Sequence, residues 1–297
     1  MSSIRLKKIL DKVFSKDELD LLEEKFLNLT LDLEEVHDIE SFVGECREES
    51  KNFKVAGEHR LSDWEKGWSG DGVYYSDDSY NNLPFYFKNN THIRVRDIVY
   101  KDNSGFAEVD ALRALQLVIF RKILMKFDCN TVFEYGCGTG SNIQFLRNNI
   151  NTLNFYGSDW AISACKKLVD NGILEQEKVS RVNYFNPSTY SGAKENYLAF
   201  TNASLEQSGK NYHDFMSYLF KNSNCLGGIH IEPIRELIDL KLKINQQSFE
   251  YAKNRGYLNG FYDYMSSNSD IQIIIANDYG IGSKYINGYQ VLCWKKK

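Results

Sequence analysis

No CxxC pair and no cluster of histidines occurs in this 297-residue sequence, although it holds six cysteines: Cys46, Cys129, Cys137, Cys165, Cys225 and Cys293. That spacing gives neither a zinc site nor a dithiol redox couple, so no metal is expected and the thiols read as reduced. An apolar signal core is missing from the N-terminus, and no stretch approaches ~20 apolar residues, so neither export nor a membrane span is expected. The cytoplasm is the default. Positive charge is not in excess either: the net charge is −4, and residues 1–60 carry 15 Asp and Glu against 10 Lys and Arg. A basic arm that grips phosphate backbones has the opposite balance, so nucleic acid is not expected as a partner. The three lysines at 295–297 read as an exposed charged tail rather than a contact with an anionic surface. Internal repeats and low-complexity segments are absent.

What is present is the composition of an ordered protein, with 42% hydrophobic, 26% charged and 14% aromatic residues. The length suits one large domain, or one domain with a sizeable addition. Helical spacing marks residues 4–14, and Ser15 with Glu18 makes a capping box for a second helix through Leu27. Between about 60 and 100 the periodicity fades and aromatics gather: Trp64, Trp68, Tyr74, Tyr75, Tyr80, Phe85, Tyr86 and Phe87. They form either a core under an irregular region or a lid over a ligand. A broad apolar helical face follows over 109–127. Short β-rich runs then alternate with amphipathic segments. Strands are expected at 131–136, 154–159, 180–185, 197–202 and 227–234, with helices from about 141, over 160–170 and over 211–221. That alternation implies parallel βαβ units. The last two strands, 271–277 and 289–294, are joined too tightly for a crossover helix and should pair as an antiparallel hairpin.

The segment Val132-Phe133-Glu134-Tyr135-Gly136-Cys137-Gly138-Thr139-Gly140-Ser141-Asn142 carries most information. A strand ends near an acid, and three alternate glycines turn the chain into a helix. Glycine is needed there because side chains would block a ligand from the backbone at the carboxyl edge of the sheet. A nicotinamide fingerprint asks for glycine three positions after the second one, where this chain has Ser141. A tight turn without a ligand would not explain the acid and all three glycines. Nineteen residues beyond Gly140, a second strand ends in Asp159, whose carboxylate can accept both hydrogen bonds of a ribose diol, and Trp160 beside it can pack on an adenine face. Read singly, Asp159 is a helix cap and Trp160 is core.

In that order, VFEYGCGTGSN followed by YGSDWAISACKKL resembles the first two cofactor motifs of class I S-adenosylmethionine-dependent methyltransferases. The resemblance runs from about residue 110 to the end. It implies a seven-stranded Rossmann-like α/β sheet, mostly parallel, closed by an antiparallel hairpin of its last two strands. The expected division is a helical and irregular region at 1–105, a possible lid and acceptor-binding cap, and a cofactor-binding domain at 106–297 with an insertion at about 235–268. Binding of S-adenosylmethionine, and of its product S-adenosylhomocysteine, would fall to Glu134, Tyr135, Gly136, Gly138, Gly140, Asn142, Asp159 and Trp160. Glu134 would reach the methionine amino group and Asp159 the ribose. Two departures from the family pattern stand out: the third strand leads to Asn186 instead of an acid for the adenine amine, and Leu205-Glu206-Gln207 replaces a leucine-glutamate-histidine triplet. Thr201 and Asn202 would line the methionine end.

The acceptor decides the rest. A sugar hydroxyl benefits from a general base, whereas an anionic oxygen needs only orientation. In Gly228-Ile229-His230-Ile231-Glu232-Pro233, residues 230 and 232 share one face near the strand's carboxyl edge. His230 is a candidate base with Glu232 as its orienter; a structural histidine is the rival. Glu206 is a third candidate, or a helix-start charge. Arg255 in the insertion suits an anionic group, or is an exposed arginine, and Tyr257 beside it is a further candidate for the acceptor pocket. The combination LEQ, HIEP and RGYLNGFYDYM resembles methyltransferase-like proteins of bacterial surface-polysaccharide biosynthesis. That resemblance implies a small-molecule or glycan acceptor methylated on oxygen; the alternatives are N- or O-methylation of another metabolite or of a protein, and a cofactor-binding homologue without turnover.

Overall fold

A computed structural model describes residues 3–70, 80, 82–84, 87, 91–187, 193–285 and 289–297. Tyr74, Tyr75, Phe85 and Tyr86 of the aromatic cluster lie outside them. The strands are β1 (Ser3–Arg5), β2 (Thr30–Glu35), β3 (His92–Val95), β4 (Ile98–Asp102), β5 (Thr131–Tyr135), β6 (Asn154–Asp159), β7 (Val179–Arg181), β8 (Tyr197–Asn202), β9 (Cys225–Glu232), β10 (Ile271–Asp278), β11 (Ile281–Gly282) and β12 (Gln290–Lys296).

Seven of them form one sheet in the order β10-β12-β9-β8-β5-β6-β7. Neighbours from β9 through β8, β5 and β6 to β7 run parallel, and β12 is antiparallel to both β9 and β10. Reversal of strand order around β5 makes a switch point, and the carboxyl ends of β5, β6 and β8 open onto one crevice there. β5 and β8 are buried at every residue, as their near-continuous apolar runs require of strands covered on both faces.

The other five strands correct the expectation of a helical and irregular N-terminal region. They make an antiparallel sheet, β1-β2-β4-β3-β11. In β2 only Leu31 and Leu33 are buried, a period of two hidden in the sequence by the acids around them. The predicted helix through Leu27 is two single turns, Lys16–Leu19 and Glu24–Leu27, although the capping box of Ser15 and Glu18 forms as expected. β7 stops at Arg181, four residues before the predicted end. The helix Ala107–Leu124 shares one core with Ile93, Val95 and Ile281 of the small sheet and Val132, Leu198, Ile229 and Val291 of the large one. Its amphipathic pattern is broad because both sheets take a face of it.

Candidate functional site

The crevice is built on backbone. Gly136, Gly138 and Gly140 have φ of +72°, +52° and +79°, a region in which a Cβ is strained. Space forbids a side chain as well: a Cβ on Gly136 would lie 2.5 Å from that of Ser204, and one on Gly140 would lie 2.5 Å from Leu168. The amides of Gly136 and Cys137 both donate to the Ser158 carbonyl, at 2.8 and 2.9 Å. Asp159 ties the two turns together. Its Oδ2 accepts from the Gly138 amide at 2.9 Å and its Oδ1 from the Ala161 amide at 2.8 Å. Burial pushes its carboxyl up to about 6 against the pull of those donors.

Glu134 is completely buried. Asn142 donates to its Oε1 at 2.7 Å, while Oε2 has no partner among the described residues. Burial, with the negative charge of Asp159 adding to it, pushes this carboxyl up to about 8. Gln116, from the helix Ala107–Leu124, extends the network by donating to Asn142 at 2.9 Å and Asn202 at 3.2 Å. Above these groups is a crevice with about 700 Å³ of empty space, open solvent included. Trp68 roofs the glycine turn, so close that a Cβ on Gly138 would lie 2.8 Å from its ring. Trp64 stacks on Trp68 with ring centroids 6.4 Å apart. Glu65 between them fixes the roof by accepting from the Ile162 and Ser163 amides, at 2.7 and 3.1 Å.

Of the residues singled out in the sequence, Gly136, Gly138, Asn142, Asp159, Trp160 and Asn202 line this cavity. Gly140 is the left-handed residue that starts the helix Ser141–Asn149. Tyr135 points away: its hydroxyl meets that of Tyr197 at 3.1 Å within the core. Asn186 is exposed and does not line the cavity, because the chain turns after β7; Val182 and Tyr184 take that wall. Gln116, Ser204 and Tyr184 carried no motif. Gln116 had one signal, an amide in an otherwise apolar stretch of helix.

A second cavity of about 1470 Å³, also partly open, adjoins the first and shares Trp64, Ala203 and Gln207 with it. Glu206, Arg255 and Tyr257, far apart in sequence, meet on its wall. Ala203, at φ +48°, is held in the left-handed region at the junction. The hold comes from Glu232, whose two oxygens accept from the Ser204, Leu205 and Glu206 amides at 3.1 to 3.2 Å. Burial, with the Glu206 charge nearby, pushes the Glu232 carboxyl well up. Glu232 thus positions the segment at the junction of the cavities, and it meets His230 only through the Thr201 hydroxyl, which bonds both.

His230 has no exposed surface and lines neither cavity. The Trp294 indole, which can only donate, donates to its Nε2 at 3.0 Å, so the ring proton is on Nδ1 and goes to the Thr201 hydroxyl at 2.9 Å. Burial pushes its pKa down to about 3. Both nitrogens being used inside the core, the candidate base is a structural histidine, and Thr201 is its partner instead of a cofactor ligand. Arg255 is also committed. Its Nε donates to the Lys54 carbonyl at 2.8 Å, its Nη1 to the Tyr251 hydroxyl at 2.6 Å, and its guanidinium stacks within 6 Å of Phe53, Tyr251 and Tyr257. It props aromatic walls, which a surface arginine would not do.

No protein-family profile matches the chain, and no curated protein does. Among solved structures, the chain is similar to the plantazolicin methyltransferase BamL in complex with SAH and a triazolic desmethylPZN analogue, at 13% identity over 81% of this chain and 98% of that one, with a TM-score of 0.47. The plantazolicin methyltransferase BpumL in complex with SAH is 13% identical over 86% and 100%, with a TM-score of 0.45. The mitomycin 7-O-methyltransferase MmcR is 11% identical over 64% and 58%, with a TM-score of 0.39. At such values nothing that these proteins bind or modify passes to this chain.

Proposed function

We propose that the chain is an S-adenosylmethionine-dependent methyltransferase acting on a hydroxyl of a small-molecule or carbohydrate-linked acceptor, in surface-polysaccharide biosynthesis. One observation supports the first half: at the switch point of the sheet Asp159, 6% exposed, lines the crevice beside the glycine turn, and Glu134, completely buried with an oxygen lacking a partner among the described residues, stands behind Asn142 of its wall. A ligand with an ammonium group at one end and a ribose diol at the other suits that pair. When bound, it supplies an electrophilic methyl carbon on sulfur. The chain has to keep the acceptor oxygen in line at ~3 Å and exclude water. Trp64 and Trp68 close the crevice from above, and Trp64, Ala203 and Gln207 lie where it meets the acceptor cavity, so that an acceptor there can reach the methyl carbon.

Glu206 takes the role first considered for His230. It is 4% exposed, Gln207 Nε2 donates to its Oε1 at 3.0 Å, and Oε2 is buried without a partner. Glu206 lines the acceptor cavity, and a turn of its side chain toward an acceptor would let its carboxylate take the hydroxyl proton as the oxygen–carbon bond forms and the carbon–sulfur bond breaks, with S-adenosylhomocysteine leaving. The aromatic walls around Tyr251, Tyr257 and Tyr285 suit the apolar face of a sugar ring. The polysaccharide setting is supported by the sequence resemblance alone. Calorimetry tests the reading: S-adenosylmethionine and S-adenosylhomocysteine should bind and NAD should not, and heat from NAD with none from the adenosyl ligands would overturn it.

A further inference from the structure

The acceptor cavity holds a second carboxylate that no motif announces. Glu108, in the first turn of the helix Ala107–Leu124, is 5% exposed and lines the cavity. Its Oε1 accepts from the Tyr289 hydroxyl at 2.5 Å, and its Oε2 has no hydrogen-bond partner among the described residues. Glu206 likewise has one oxygen bonded and the other, buried, without a partner. The cations on the same walls are engaged: Arg60 with Asp63 at 3.2 Å, Lys284 with Glu49 at 2.8 Å, and Arg255 with Tyr251 and the Lys54 carbonyl. What the cavity offers a newcomer is therefore two acidic side chains, each with one oxygen not engaged, between aromatic faces; burial pushes the Glu108 carboxyl up to about 7 while the Tyr289 hydroxyl holds it down, so its charge is complete only above that pH. A buried acceptor left unmatched is costly, so the acceptor must bring donors to both. A phosphate or carboxylate would bring the same charge that is already there.

We propose that Glu108 and Glu206 form a two-point site for a polyhydroxyl or amino-substituted ring, and that Glu108 selects against acceptors bearing an anionic group. This rests on the reading of that cavity as the acceptor site. Saturation-transfer NMR tests it on protein loaded with S-adenosylhomocysteine. The probes are the methyl pyranosides of glucose, galactose, mannose and glucosamine, each uncharged or amino ring run against the matching uronic acid and 6-phosphate of the neutral sugars. At least one uncharged or amino ring should bind, with its anionic counterparts tenfold weaker or worse. Glu108→Gln, which keeps the volume, should narrow that gap to about threefold while cofactor affinity stays unchanged, since charged hydrogen bonds are roughly twice as strong as neutral ones. Tyr289→Phe removes the donor that holds the Glu108 carboxyl down, so at pH 7.5 it should narrow the gap in the same direction as Glu108→Gln, and it stands in if that variant fails to fold. Equal or tighter binding of an anionic probe, no binding by any uncharged or amino ring, or undiminished discrimination in the folded variants would each overturn the proposal. Failure of the adenosyl ligand to load would instead sink the reading of the crevice, and the probe series on unloaded protein would still decide the charge preference.

Discussion

The two cavities that meet at Ala203 are made of different material. One is floored by backbone, with three glycines, the amides of Gly136, Cys137 and Gly138, and two carboxyl groups under or beside the turn. The other is walled by side chains from six separate stretches of chain, so that Phe53, Glu108, Glu206, Tyr257 and Tyr289 among them come together from distances of up to 236 residues. A backbone floor is dictated by the turn and admits few substitutions. Side-chain walls can be exchanged one at a time without touching the fold. The first arrangement suits a ligand that never changes, the second an acceptor that differs between relatives.

Mutations can sharpen that contrast. The largest effect is expected from Glu206→Gln, which should lower turnover by about 10² to 10⁴ with cofactor affinity nearly intact. His230→Ala should act on the other side of the division, costing about 2 to 4 kcal/mol of stability through a cavity and the unmatched Trp294 and Thr201 groups, with a normal single-turnover rate per folded molecule. A slow rate in folded His230→Ala, or a normal one in Glu206→Gln, would reverse the assignment of the base.

Next in size is Asp159→Ala. It should weaken adenosyl-ligand binding by roughly 2 to 3 kcal/mol, the scale of lost charge-assisted hydrogen bonds. Because Asp159 also accepts from the Gly138 and Ala161 amides, melting temperature should fall too. Unchanged calorimetric affinity would mean that the ribose is held elsewhere.

The smallest effect separates stability from binding at Glu134. Its folded carboxyl stands near 8 against an ordinary 4.5, so the native state holds a proton that the unfolded chain has released. That contribution to stability is complete below about pH 4.5 and is lost as pH rises through 8. Glu134→Gln should therefore melt higher than the parent at pH 8 yet bind the ammonium-bearing cofactor about tenfold more weakly, or about 1.4 kcal/mol. Parallel loss of both properties would show that the carboxyl is structural.

The backbone-floored crevice was legible in the sequence because glycine and acid spacing along one segment encode a turn whose geometry is local. The seven strands were legible for a similar reason, each being a short apolar run between polar breaks. Side-chain convergence is not local, and the misreadings cluster there. His230 and Glu232 do sit two apart on β9, as read, but which face of a central strand meets the core depends on Trp294 of β12, 64 residues away. Glu108 drew no reading, lying one residue before the expected helical face of 109–127. The small sheet was missed because its strands are only two to six residues long and all but β11 carry charged residues beside their apolar ones; Ile281 pairs with Val95 across 186 residues, although β3 and β4 pair locally.

That last pairing makes β11 more than a two-residue ornament. The connection between the final two strands of the large sheet leaves it, adds an edge to the small one and returns. Ile281 and Gly282 are buried there, and the Tyr289 amide closes the excursion on the Ile281 carbonyl at 2.6 Å. The chain is thereby sutured between its N-terminal third and a stretch close to residue 297. Removing residues 1–105 would strip β11 of its partner and uncover the helix Ala107–Leu124, so the N-terminal third is not an appendage that can be shed. Both sheets pack on one core around that helix.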